Sequence, residues 1–304
     1  MASPTATTVT KKPIEDPLNL ETAKLAITYS RGNRRILELG HGMAFVLNIS
    51  RIACESSGRL ELAPGHVLRR ANKMEIRAIR DVCKDYGISH WSTWQCVRLE
   101  DGQYQNLPAE EWRYFVISFK GSNDTIVEIE RALCMAPCEI KIGFTLLTGP
   151  FRDIEAPTIV FSPGRLFHLL RSVGEQHHPF VEVTQSDVDQ VEVLRGQIHG
   201  FDEGVISVKG LIQQMLNLEA LPHQSSLLFL GYFAILESLL THQPKKTDTI
   251  DSITRQIIKK LQLLNNRWKP RIDYARFQGA KPPTVWSTMY EYRSSLAHGG
   301  VTRF

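Results

Sequence analysis

The stretch from Gln224 to His242 leaves few choices of fold. Leu227, Leu228, Leu230, Tyr232, Phe233, Ile235, Leu236, Leu239 and Leu240 fall around most of a helical wheel, and Glu237 is the one charge among them. A helix apolar on so much of its circumference must be covered from several sides, which places it at the centre of a helical core. Its neighbours supply candidates for that cover. Gly204 to Leu218 is amphipathic, and Thr249 to Asn265 carries a stripe of Ile253, Ile257, Ile258, Leu261 and Leu264. Pro282-Pro283 suits a helix start, because proline fixes φ where the N–H would have no helical partner. Behind it, Val285, Met289, Tyr292 and Leu296 recur at helical spacing. Four such segments predict an all-α bundle over residues 201–304.

The preceding region reads differently. Residues 1–17 are rich in Thr, Pro and Lys and are expected to be a disordered tail. Residues 18–200 mix the two periodicities and are expected to form an α+β domain. Leu68 to Tyr86 reads as a helix through Ile76, Ile79, Val82 and Cys83. Trp112 to Lys120 alternates as a strand and stops at the turn Gly121-Ser122-Asn123-Asp124. Thr125 to Leu133 and Cys138 to Leu147, both rich in β-branched residues, are further strand candidates. Pro163 opens another expected helix, with Leu166, Leu169 and Leu170 on one side.

Apolar residues make up 42% of the 304-residue chain and charged residues 22%, enough for ordinary cores and against global disorder. No apolar run reaches the ~18 residues of a membrane span. The start, Met1-Ala2-Ser3-Pro4-Thr5, lacks the basic and apolar regions of a secretory signal, so a cytoplasmic protein is expected. Cys54, Cys83, Cys96, Cys134 and Cys138 are odd in number and scattered, which favours reduced thiols. Cys134 and Cys138 have three residues between them and no matching second pair. Neither a metal site nor a cofactor is expected. The Asn48 and Asn123 sequons carry no weight in that compartment.

The net charge of +4 is modest, but its distribution is uneven. Arg255, Lys259, Lys260, Arg267, Lys269, Arg271, Arg276 and Lys281 stand against the single acid Asp273, with Trp268, Tyr274 and Phe277 interleaved. Cations with aromatics suit a phosphate backbone carrying unstacked bases, which makes Lys259, Lys260, Arg267, Lys269 and Arg271 candidate RNA-binding residues. The competing reading is a solvated basic face with its aromatics packed inward.

The last helix ends in Arg293-Ser294-Ser295-Leu296-Ala297-His298, followed by Gly299-Gly300. Val285, Met289, Tyr292 and Leu296 share one face, and Ser287, Glu291, Ser294 and His298 form a polar stripe. Arg293 falls on a third stripe with Trp286, Tyr290 and Ala297. Arg293 and His298 therefore diverge by about 140° on an ideal helix. They converge only where the helix ends, or across a two-fold axis between two copies. Ser294 lies four residues before His298, within reach of its imidazole. Taken bare, the pair reads first as Arg293 bonded to a carboxylate and His298 capping the helix carbonyls. Glu237 either holds a basic side chain inside the bundle or faces solvent.

Tyr290-Glu291-Tyr292-Arg293-Ser294-Ser295-Leu296-Ala297-His298-Gly299-Gly300, with the helix around Phe233-Ala234-Ile235-Leu236-Glu237-Ser238-Leu239-Leu240 upstream, resembles the HEPN superfamily in its Apea-like branch. The match is to that family's arginine, four residues, histidine signature. It covers about a third of the chain. The resemblance implies an α-helical domain that pairs as a homodimer and cleaves RNA without metal or cofactor. His298 would be the general acid/base and Arg293 the donor to the phosphate. Ser294, standing where many members carry Asn, Asp or His, would orient the imidazole, and Glu237 and Tyr292 would support the site. The products would be a 2′,3′-cyclic phosphate and a 5′-hydroxyl, as in toxin or antiviral-defence effectors. A non-catalytic RNA- or protein-binding dimerisation module is the alternative. The family's further helix after the motif has no counterpart before Phe304, so a domain lacking its last helix is expected.

Overall fold

A computed structural model describes residues 27–30, 33–36, 41–53, 58–85, 87, 92–147, 158–160, 180–201, 207–219, 221–222, 224–241, 252–269 and 271–299. The chain divides into two compact units between His199 and Gly200. The first is β-rich with an antiparallel sheet, and the second is helical among its described residues. The expected tail 1–17 and the helix expected from Pro163 lie outside the described residues.

In the first unit, β1 (Ile27–Ser30) and β2 (Asn33–Ile36) form a separate hairpin. The main strands are β3 (His41–Val46), β5 (Arg59–Ala63) and β6 (His66–Arg70). They are joined by β9 (Phe115–Lys120), β10 (Ile142–Leu147) and β11 (Thr158–Val160). Their order across the sheet is β11-β10-β3-β9-β6-β5, and every adjacent pair is antiparallel. Alternation along β3 feeds two cores, as side chains on a strand must. Ala44 and Val46 face one side with Phe115, Ile117 and Phe119; Met43, Phe45 and Leu47 face the other with Val116.

Each face is covered by helix. α1 (Lys73–Asp85) brings Ala78, Ile79, Val82 and Cys83 to the Phe45 side, where Trp94, on α2 (Ser92–Gln95), and Tyr114 are also buried. α3 (Asp124–Met135) and α4 (Gln185–His199) cover the opposite side through Ile126, Ile129, Ala132, Leu133, Val188 and Val191. β4 (Ile49–Ala53) leaves the main sheet and pairs in parallel with β12 (Val181–Thr184). The corner before β4 is held by Asn48, whose amide donates to the Glu139 carbonyl at 2.6 Å while its oxygen accepts from the Lys141 N–H at 2.9 Å. β7 (Cys96–Arg98) and β8 (Tyr104–Asn106) form a small hairpin, and a 3-10 turn, Ala109–Glu111, follows it.

Two sequence expectations are corrected. The segment expected as one helix from Leu68 to Tyr86 begins as strand β6, and the helix starts only at Lys73. Asn72 causes the change: its side-chain oxygen accepts from the N–H of Met74 and of Glu75, and its own N–H donates to the Glu75 carboxylate. That is a reciprocal capping box. Thr125 to Leu133, expected as a strand, is helix α3. Ile126, Ile129, Ala132 and Leu133 lie on one helical face, and their burial outweighs the β preference of the branched residues.

The second unit is built from α5 (Val208–Leu218), α6 (Ser226–Leu240), α7 (Ile253–Arg267) and α8 (Pro282–Ala297). Ser207, Ser225 and Ser252 each cap their helix by accepting a backbone N–H. The shared core gathers Leu240 of α6 and Ile257 and Leu261 of α7, with Trp286 and Tyr290 of α8 packed on it. The apolar helix α6 is less enclosed than its composition predicts. Phe233, Ile235 and Leu240 are buried, but Leu227, Tyr232 and Leu239 are exposed.

Candidate functional site

The site residues come from α6, α7, α8 and the connection before α8. Pro282 and Pro283 occupy the first turn of α8, Val285 is buried below them, and the inward face continues as Trp286 and Tyr290. Arg293 is on that same stripe, one turn beyond Tyr290. It therefore points into the bundle, where its Nη2 donates to Glu237 Oε2 at 2.8 Å. The carboxylate and the guanidinium are both mostly buried, at 19% and 27% side-chain exposure. Arg293 Nε and Glu237 Oε1 are buried without a hydrogen-bond partner. The guanidinium carbon also lies 5.9 Å from the Tyr290 ring centre. Of the two roles open to Glu237, the structure takes the one that holds a basic side chain.

Tyr292 faces α6 by a different route. Its ring meets Phe229 edge-on at 5.0 Å, and Phe229 in turn packs on Phe233 at 4.7 Å. Tyr292 and Arg293 thus anchor the end of α8 to α6 at two adjacent points, one aromatic and one ionic. Phe229 was not singled out from the sequence. Its signal was the i, i+4 aromatic pair with Phe233 on a helix otherwise rich in leucine.

His298 caps α8. Its backbone N–H donates to the carbonyls of Ser294 and Ser295, each at 3.2 Å. Gly299 follows with φ +72°, the left-handed conformation that closes helices at the least steric cost to glycine. The imidazole is exposed and makes no hydrogen bond with another described residue. The reach of Ser294 to that ring is not used: the two residues are joined through main chain, and the serine hydroxyl does not bond the imidazole. A single copy also leaves His298 without a contact to Arg293. The arginine turns into the bundle and the histidine out of it, as the helical wheel requires.

The basic residues are in solvent. Lys259, Lys260, Arg267, Lys269 and Arg271 are exposed, as are Arg276 and Lys281, and none of them makes an ion pair with another described residue. The aromatics between them divide. Tyr274 turns inward, its hydroxyl accepting from Trp286 Nε1 at 2.9 Å. Trp268 and Phe277 stay exposed, at 41% and 39%. The inward packing expected of all three on the solvated-face reading holds only for Tyr274.

Among the described residues no three His, Cys, Asp or Glu side chains gather as a cation site. Cys54 lies outside those residues. No helix among the described residues is long and apolar enough to cross a membrane. Comparison with protein-family models, with curated proteins and with solved structures gives no match to this chain.

Proposed function

We propose that the helical unit is a HEPN-type, metal-independent endoribonuclease module that works as a homodimer in the cytoplasm, as a toxin or antiviral-defence effector. The observation that supports this reading most is the Arg293–Glu237 bond on the helix whose end carries an exposed His298. The arginine is fixed in position by a carboxylate that takes one of its five donors, while the histidine is left open to solvent. A guanidinium held this way spends little further entropy on gripping a phosphate. An imidazole can both take and return a proton.

The chemistry follows from those two roles. His298 removes the proton from an RNA 2′-OH, whose oxygen attacks the adjacent phosphorus. The P–O5′ bond breaks, and the departing 5′-oxygen is protonated, leaving a 2′,3′-cyclic phosphate and a 5′-hydroxyl. Arg293 stabilises the charge gathering on the non-bridging oxygens. Because one copy turns the two side chains apart, the working cleft takes its groups from two α8 ends. DNA lacks the attacking hydroxyl and is spared.

The test is cleavage of single-stranded RNA by the full chain in EDTA, with the new ends identified by mass spectrometry. Cyclic-phosphate ends that disappear in His298→Ala support the mechanism. Cleavage that survives that substitution, or that depends on a divalent metal, sinks it. The alternative, a non-catalytic HEPN module that binds RNA or protein, draws on the same ion pair, since a carboxylate already answers the charge of Arg293. RNA that is bound and never cut decides for that reading.

A further inference from the structure

We propose that the connection between α7 and α8, through its described residues 268–269 and 271–281, is a docking surface for single-stranded nucleic acid. Trp268 and Phe277 stack on unpaired bases, and Lys269, Arg271, Arg276 and Lys281 contact the phosphates. The proposal goes beyond the cleavage reading and stands or falls without it.

Three observations carry it. The first is how unevenly the aromatics are covered. In a segment whose aromatics only served packing, all three rings would be covered; here Tyr274 is half-buried and bonded to Trp286, while Trp268 and Phe277, the latter 6.4 Å from the Tyr274 ring, keep about two-fifths of their surface in water. The second is charge. The four cations are exposed and unpaired with other described residues, and the one acid is already engaged: Asp273 accepts the Ala275 N–H at 2.8 Å. The third is rigidity. The Asn265 side chain accepts the Ile272 N–H at 2.7 Å, tying the connection to α7, and Tyr274 ties it to Trp286 of α8. A 3-10 turn, Ala275–Phe277, then closes through Gln278 and Gly279, both at positive φ (53° and 75°). Exposed rings on a preorganised backbone lose little freedom on binding, which favours stacking.

The same observations select the partner. A duplex hides the faces of its bases, so exposed rings gain nothing from it. An anionic bilayer also attracts cations and rings, but it gains most from buried apolar area, and this connection offers little beyond its two rings, since Ile272, its one large aliphatic residue described, is half-buried. Base stacking and phosphate contact do not read the 2′-OH, so RNA and DNA strands share the chemistry required.

The experiment uses the full chain carrying His298→Ala, so that cleavage cannot consume the probe. Fluorescein-labelled U12 RNA, T12 DNA and a 12-base-pair duplex are titrated by anisotropy at several salt concentrations. Both single strands are expected to bind more tightly than the duplex. Trp268→Leu weakens single-strand binding by about ten-fold, whereas Trp268→Phe, which keeps a ring, restores most of it. Lys269→Ala with Arg271→Ala lowers the salt slope by about 1.4, at ~0.7 per phosphate contact. If Trp268→Leu lowers the melting temperature, Phe277→Leu serves in its place. The proposal is overturned if U12 does not bind, if the duplex binds as well, if loss of the ring is neutral, or if vesicles of anionic lipid compete U12 away. Binding as described without any cleavage by the unchanged chain removes the nuclease and keeps the surface. Cleavage with Trp268 neutral does the reverse.

Discussion

Arg293 and Glu237 are separated by 56 residues in the chain and joined by a 2.8 Å hydrogen bond between α8 and α6. Each leaves one buried polar atom without a hydrogen-bond partner, so removing either side chain strands the other in a poorly solvated place. Arg293→Ala is expected to lower the unfolding free energy by about 2 kcal/mol, less than a fully buried pair because both side chains retain some exposure. The double change Arg293→Ala, Glu237→Ala should cost less than the sum of the two, by about 1 kcal/mol. Urea denaturation of the four chains measures this. Additive losses would show that the two side chains do not interact in solution.

The end of α8 separates structure from chemistry within two adjacent residues. The His298 imidazole is exposed and has no described partner, so His298→Ala should change stability by no more than about 0.5 kcal/mol while removing the cleavage proposed for this unit. Gly299 sits at φ +72° with open space where a Cβ would go. Gly299→Ala should therefore cost about 1 kcal/mol through backbone strain alone. A large loss of stability in His298→Ala would mean that the ring packs against the protein, and loss of cleavage there would no longer speak for acid–base catalysis.

What the sequence revealed depended on whether the signal was periodic. The stripe of α7 was legible because that helix has one face to bury, and Ile257 and Leu261 are buried as their spacing demands; on α8, of the expected face Val285, Met289, Tyr292 and Leu296, Val285 alone is buried, and the residues packed on the core are Trp286 and Tyr290 of a neighbouring stripe. The apolar helix α6 was legible as a helix but not as to its cover. When all sides are apolar, sequence does not say which side stays in water, and Leu227, Tyr232 and Leu239 do. α3 was misread because branched residues dominate its composition, while its 3–4 spacing was the stronger signal. At the site, Arg293 and His298 were found as residue types. The bond from Arg293 to Glu237 lay beyond what local spacing decides, as did which of Tyr274, Trp268 and Phe277 is the most covered ring.

The first unit contains an ion pair with no exposure at all. Arg69 donates through Nη1 and Nη2 to the two oxygens of Glu75, each at 2.7 Å, and both side chains are 0% exposed. The same carboxylate receives the Asn72 N–H at the start of α1. Glu75→Gln keeps the shape but leaves a buried guanidinium without its counter-charge. It should destabilise this unit by about 3 kcal/mol or more. Thermal unfolding followed by circular dichroism checks this, and a change below about 1 kcal/mol would mean that water reaches the pair.

Cys83 gives the first unit a pH dependence of defined sign. The thiol is fully buried in the core under α1, and burial pushes its pKa from 9.0 up to about 12. The folded state therefore holds the proton more tightly than the unfolded chain. The thiol's contribution to stability is complete below pH 9, where neither state ionises, and is lost as the pH rises from there towards 12. The Tyr114 phenol is also raised by burial and adds to the same alkaline loss from its ordinary value of 10.0 upward. Cys83→Ala should lower stability at pH 7 by about 1 kcal/mol, from the small cavity it leaves. It should also make the decline between pH 9 and pH 11 shallower without abolishing it, because Tyr114 remains. In the unchanged chain at pH 8, a disulfide reagent should label Cys96, Cys134 and Cys138, which are only partly buried, well before Cys83. Rapid labelling of Cys83, or an alkaline limb identical in the variant, would place the thiol outside the packed core.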